Sequence, residues 1–183
     1  MRTLLYLDTN IILARYAPDE PQHHEAKNLL KKIEEGKVGA VTSTLTLIEV
    51  VSTTSRAYDR FKGKAESMKR EEIAGAFLRR VINIQNLDFI PMGGEVSINV
   101  EEQRVKLPAL YAVALEIGSK IGVKTLDNIH LAAASIASRI YGHKIDYFIT
   151  LDEDILKRDE EIKDLVEVKV ATPADYCNAG RVG

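Results

Sequence analysis

The sequence predicts an α/β protein with a central, mostly parallel β-sheet flanked by helices, and three observations carry that expectation. Four short β-rich runs, LLYL (4–7), VGAV (38–41), YFITL (147–151) and VEVKV (166–170), are separated by stretches of helical periodicity, as expected of parallel strands joined by helical crossovers. The 183 residues are 45% hydrophobic, enough for one sizeable core. No repeat, low-complexity tract or Pro/Ser-rich linker offers a place to divide the chain, so residues 1–183 are expected to form one domain.

Taken in order, the first run is followed by PQHHEAKNLLKKIEEG, with Pro21 near the start, Ala26, Leu29, Leu30 and Ile33 at helical spacing, and Gly36 as the stop. After the second run, helices are expected over about 46–60, 69–85, 108–121 and 126–141. Between them, DFIPMGGEVSIN (88–99) reads as a hairpin around Gly93 and Gly94, a β-hairpin insertion within 86–107. The last two runs complete the sheet.

Charge narrows the function classes. Lys plus Arg (25) nearly balance Asp plus Glu (27), a net charge of -2, so any nucleic-acid partner must be sought in a local patch. A single cysteine, Cys177, excludes an internal disulfide and a Cys-rich zinc site, and its thiol is expected to be inert. Asp8 and Asn10 cut the apolar run after Arg2 too short for a signal peptide or a membrane span, which points to a cytoplasmic protein.

Asp8 raises the functional question, because it stands where the first strand ends, and open parallel sheets bind ligands beyond the carboxyl ends of their strands. YFITLDEDI repeats the pattern with Thr150, Asp152 and Asp154. Two more acids sit among apolar or small neighbours: Glu49 in TLTLIEVV and Asp127 in TLDNIHLAAASIA. Each has a structural alternative. Asp8 and Asp152 suit helix N-caps, Thr46 and Glu49 form a capping-box pattern, and Asp127 suits the positive end of a helix dipole. Capping does not explain why Glu49, followed at once by Val50 and Val51, and Asp127, opening an Ala-rich helix, lie at half-buried positions. Several carboxylates gathered out of water repel one another and need protonation, cationic partners or a metal ion, and an all-oxygen set suits Mg²⁺ or Mn²⁺.

YLDTNIIL, TSTLTLIEV, TLDNIHLAAA and FITLDEDI, in that order and in a chain of this size, resemble the motifs of the PIN-domain ribonucleases of the VapC-like toxin type, and ATPADY resembles that family's C-terminal turn. The resemblance spans nearly the whole chain. Carried over residue by residue, it implies a catalytic and metal-binding quartet of Asp8, Glu49, Asp127 and Asp152, with Asp154 as an auxiliary metal ligand. Thr9, Asn10, Ser43 and Thr150 match the positions whose polar groups orient those carboxylates. It further implies cleavage of single-stranded RNA to a 5′-phosphate and a 3′-hydroxyl, one or two Mg²⁺ or Mn²⁺ ions, an antitoxin partner and a homodimer. The departure is the 86–107 segment, which widens the interval between Glu49 and Asp127.

Metal ions held by such a quartet lower the pKa of a bound water, align it with a phosphodiester and stabilise the leaving oxygen; paired ions in such clamps lie about 3.5–4 Å apart. No catalytic histidine is needed. His130, three residues after Asp127, reads as a hydrogen-bonded structural residue, and His23 and His24 as solvated. The basic patch appears between 56 and 80, where Arg56, Arg60, Lys62, Lys64, Lys69, Arg70, Arg79 and Arg80 face Asp59, Glu66, Glu71 and Glu72. Arg56, Arg60, Lys62 and Lys64 are the candidate RNA contacts, with Tyr58 and Phe61 as stacking surfaces; a salt-bridged solvated face with core aromatics is the structural alternative.

Three rival classes remain. A phosphatase of the haloacid-dehalogenase type also begins with a strand-end Asp, but wants a second Asp where Asn10 stands. A DNA nuclease or an RNA-processing nuclease on the same fold would use the same acids. A binding module without catalysis would leave an intact quartet unexplained.

Overall fold

The computed structural model describes residues 3–62, 67–91, 93–139, 142 and 144–179. Its main sheet has five parallel strands, β1 (Leu4–Leu7), β2 (Gly39–Ser43), β3 (Leu87–Ile90), β6 (Tyr147–Ile149) and β7 (Lys169–Ala171), in the order β3-β2-β1-β6-β7. The antiparallel pair β4 (Glu95–Val100) and β5 (Gln103–Pro108) stands apart. β1 is central and fully covered: Leu5, Tyr6 and Leu7 are all buried, as a parallel strand with helices on both faces must be.

Alternation along β1 separates two cores. Leu5 and Leu7 pack with Ile11 and Ile12 of α1 (Thr9–Ala14), Leu29, Leu30 and Ile33 of α2 (His23–Glu34), Val50 of α3 (Leu45–Arg56) and Phe77 of α5 (Arg70–Ile82). Tyr6 faces the other way, among Leu110 and Ile117 of α6 (Ala109–Ile121), Leu131 and Ile136 of α7 (Thr125–Arg139) and Ile162 of α9 (Asp159–Val166). Three short helices, α4 (Tyr58–Lys62), α8 (Glu153–Leu156) and α10 (Pro173–Ala179), complete the order. α10 holds the predicted C-terminal turn, with Thr172 and Asp175 exchanging hydrogen bonds at its start.

The parallel α/β architecture is as predicted, with differences at the boundaries. Leu87–Ile90, read as one arm of the hairpin, is the edge strand β3 of the main sheet, paired with β2. The hairpin is β4–β5, and its turn lies at Glu101 and Glu102, with Glu101 at φ +55°, not at Gly93 and Gly94. The glycine pair supplied the stronger turn signal, while the real turn uses two residues with no turn preference. The helix expected over 46–60 divides at Ala57 into α3 and α4. His23 is half-buried rather than freely solvated: its Nδ1 lies 2.8 Å from the Ala14 carbonyl, and its ring meets His24 edge-on at 5.2 Å. Among the described residues, no helix is long and apolar enough to cross a membrane.

Candidate active site

The carboxyl ends of β1 and β6 lie side by side, tied by the Asp8 N–H donating to the Ile149 carbonyl at 3.0 Å. Asp8 and Thr150 therefore leave the sheet together. Asp8 precedes α1 but makes no side-chain cap; its Oδ2 instead accepts hydrogen bonds from Thr150 Oγ1 (2.6 Å) and Asn10 Nδ2 (2.7 Å). Asn10 is held in turn, donating to Thr150 Oγ1 (3.0 Å) and accepting from the Leu151 N–H (3.1 Å). Only 5% of Asp8 is exposed, and burial raises its pKa against the lowering pull of His130 and Thr150.

Glu49 lies two turns before Arg56 on α3, and its side chain is not part of a capping box. Thr46 Oγ1 spends its bonds on Thr42 Oγ1 (2.6 Å) and lies 3.1 Å from Thr9 Oγ1. Glu49 Oε2 accepts from Thr9 Oγ1 and from His130 Nε2, the latter at 2.6 Å. Burial pushes Glu49 up, but the His130 and Thr9 hydrogen bonds and the positive charges of His130 and Arg56 bring it below the usual carboxylate range. His130 is buried in α7, its Nδ1 2.8 Å from the Tyr6 hydroxyl; burial lowers its pKa, and the Glu49 hydrogen bond with the charge of Asp8 outweighs burial and raises it. The histidine is hydrogen-bonded and structural in the expected sense, and it also holds Glu49.

Asp127 sits in the first turn of α7, and its Oδ2 is buried without a hydrogen-bond partner among the described residues. Burial first, then the charges of Asp152 and Asp8, push its pKa up to about 6. Asp152 does cap α8, accepting the Asp154 N–H at Oδ1 (2.8 Å), while its Oδ2 lies 3.3 Å from Lys124 Nζ. Lys124 also reaches Asp154 Oδ2 at 3.2 Å.

Three of the four acids thus stand at one end of the sheet in polar groups, Asp8 with Thr150 and Asn10, Glu49 with Thr9 and His130, and Asp152 with Asp154 and Lys124, while Asp127 belongs to none of them. Among the described residues, no three His, Cys, Asp or Glu side chains converge closely enough to hold a metal ion as they stand. The donor set still suits a hard cation, being all oxygen, with the orphaned carboxylate oxygen on Asp127, the acid whose pKa is raised. Among the described residues Ser43 bonds no carboxylate; its hydroxyl accepts the Leu45 N–H at 3.2 Å and bonds the Tyr6 hydroxyl. Tyr6, Thr46, Lys124 and His130 are the contact residues that the sequence reading did not assign to the site. Lys124 had a legible signal, since a cation at a helix N-terminus opposes the dipole and needs another reason to be there.

Two of the four candidate RNA contacts in the basic segment are engaged in ion pairs. Arg60 pairs with Asp19 (2.9 Å) and Glu20 (3.0 Å), and Lys62 with Asp59 (2.7 Å). Phe61 is buried edge-on to Phe77 at 5.1 Å, and the Tyr58 hydroxyl donates to the Met68 carbonyl, so both aromatics serve packing. Arg56 is exposed with no ion pair among the described residues, and Lys64 lies outside the described residues. A groove of about 310 Å³ runs from Asn10 and Asp152 past Leu13, Ala17 and Phe61 to Arg60.

A doubly covered parallel sheet with acids at its carboxyl edge defines an α/β protein of acidic-site type. The chain belongs to the PIN domain family, whose model matches residues 5–161. Among solved structures it is similar to VapBC2 from Rickettsia felis bound to a DNA fragment from their promoter, with 12% identity, a TM-score of 0.57, and coverage of 93% of this chain and 98% of that one, a likeness of fold. No curated protein matches the sequence. Family membership supports a nuclease, that is, a hydrolase.

Proposed function

We propose that this chain is a single-domain, metal-dependent endoribonuclease acting on single-stranded RNA, with Asp8, Glu49, Asp127 and Asp152 as its catalytic carboxylates. The observation that carries the reading is a pair of acids: a strand-end Asp8, buried and held by Thr150 and Asn10, and the helix-start Asp127, whose Oδ2 is buried and unpartnered among the described residues. Those features are costly in a fold and serve a cation-dependent site.

When bound, Mg²⁺ or Mn²⁺ supplies a water of lowered pKa and a counter-charge for the leaving oxygen. Asp8, Asp127 and Asp152 are the residues that would hold it, with Asp154 at the rim and Glu49 contributing through the oxygen not engaged by Thr9 and His130. Thr150 and Asn10 fix the Asp8 carboxylate, and His130 fixes Glu49, so little reorganisation falls on these groups during reaction. Arg56 faces the site from the end of α3 and suits a phosphate, and the groove toward Arg60 offers the strand a path.

Likeness of fold to VapBC2 favours a toxin with a protein antitoxin as its partner, and the motif resemblance adds the expectation of a homodimer. The test is cleavage of matched RNA and DNA strands with Mg²⁺ or Mn²⁺. RNA cleavage that EDTA stops and Asp8→Asn abolishes is expected. Undiminished cleavage in excess EDTA would overturn the metal-dependent reading, and preference for DNA would overturn the ribonuclease.

A further inference from the structure

Lys124 stands immediately before α7, its carbonyl accepting the Asn128 N–H at 2.9 Å, which is the helix N-cap position. Lysine is a poor residue there. N-caps favour Ser, Thr, Asp and Asn, and the positive end of the helix dipole repels an ammonium group. The side chain finds its compensation 28 residues away, at Asp152 Oδ2 (3.3 Å) and Asp154 Oδ2 (3.2 Å). Asp152 is fixed for this contact because its other oxygen accepts the Asp154 N–H. Among the described residues, this is the only ion pair from a lysine or arginine to any of the four candidate carboxylates. The ammonium thus sits between two of the oxygens that a metal ion would need.

We propose that Lys124 is a resident counter-ion of the candidate site: its ammonium occupies the cation position between Asp152 and Asp154 in the metal-free protein, positions Asp152, and must be displaced when a divalent ion binds. The inference rests on the metal-dependent reading given above, but makes its own demand. An ordinary exposed ion pair contributes little and would leave metal affinity alone. A resident counter-ion competes with the metal, so removing it tightens binding, whereas Arg in its place keeps the competition.

Mn²⁺ affinity of the full chain, measured by titration calorimetry without RNA, separates these cases. Lys124→Met is expected to bind Mn²⁺ at least threefold more tightly than wild type, and Lys124→Arg within twofold of wild type. Lys157→Met, which removes a neighbouring cation paired to Glu153 at 3.1 Å, is expected to change little and controls for general charge. If wild type binds Mn²⁺ and Lys124→Met binds no more tightly, or no more tightly than Lys157→Met, the counter-ion role is overturned while the nuclease reading stands. Binding by Lys124→Met but not by wild type supports it most strongly. Binding by neither overturns the counter-ion and the metal-dependent reading together.

Discussion

Asp127 is where the energetic cost of the site concentrates, because its pKa of about 6 is raised by burial and by the charges of Asp152 and Asp8. For a carboxyl whose folded pKa exceeds its unfolded value, the folded state holds the extra proton between the two, so stability falls as pH rises through that window. Asp127→Asn is therefore expected to raise the melting temperature in EDTA at pH 7.5, with the gain shrinking as pH falls from about 6 toward about 4. A shift of this size corresponds to at most about 3 kcal/mol, and solvent screening of a half-exposed carboxylate reduces the expected gain to about 1 kcal/mol, or about 2–4 °C in a chain of this length. Thermal melts of the two proteins across that pH range would check it; a loss at pH 7.5 would mean that Asp127 is an ordinary helix-start acid. His130 behaves oppositely. Replacing it with Phe leaves the Tyr6 hydroxyl with Ser43 alone and Glu49 with Thr9 alone, at an expected cost of about 2–4 kcal/mol in chemical denaturation.

Between elements, α6 and α7 approach so closely that a Cβ on Gly118 would lie 2.5 Å from Asn128 Nδ2, which donates to the Ala114 carbonyl at 2.7 Å. Gly118→Ala gains about 1 kcal/mol of helix propensity, but displacing Asn128 loses that hydrogen bond and crowds the interface by about 1–3 kcal/mol, so net destabilisation is expected in urea melts. The β4–β5 hairpin makes the opposite prediction. Ala109 N–H donates to the Gly94 carbonyl at 2.7 Å, so the chain closes at the hairpin's base, and joining 94 to 109 through two glycines should leave Mn²⁺ affinity unchanged within twofold in calorimetry. These elements also show what was legible in the sequence. LLYL, the Ala26–Leu29–Leu30–Ile33 stripe and the strand-end acids were legible because period and apolar runs are local signals. β3 was not, since its strand identity comes from pairing with β2 rather than from its own four residues, and the glycine pair beside it drew the turn away from Glu101 and Glu102. Within the site, the acids and Thr9, Asn10 and Thr150 announce themselves by motif, whereas the Tyr6–His130–Glu49 chain joins residues up to 124 positions apart and has no local signature.

At the scale of the molecule, the net charge is -2, and within the basic segment Arg60 is already tied to Asp19 and Glu20 and Lys62 to Asp59, so these two cations are not free to exchange for counter-ions. Salt dependence of RNA binding reports the number of phosphates neutralised, not the number of basic residues present. Arg56 and Arg60 should therefore differ, although sequence alone ranks them together. Removing Arg56, exposed and acting on Glu49, should weaken RNA binding and reduce the slope of log affinity against log salt by about 1. Removing Arg60 leaves Asp19 and Glu20 uncompensated beside the groove, so affinity should fall through repulsion while the slope changes by much less. The comparison is best made by fluorescence anisotropy with a short single-stranded RNA between about 50 and 200 mM salt, in an Asp8→Asn background that prevents cleavage. An Arg60→Ala variant that flattens the slope as much as Arg56→Ala would mean that the Asp19–Arg60–Glu20 cluster opens to bind phosphate, and that the whole 56–62 surface belongs to the RNA track.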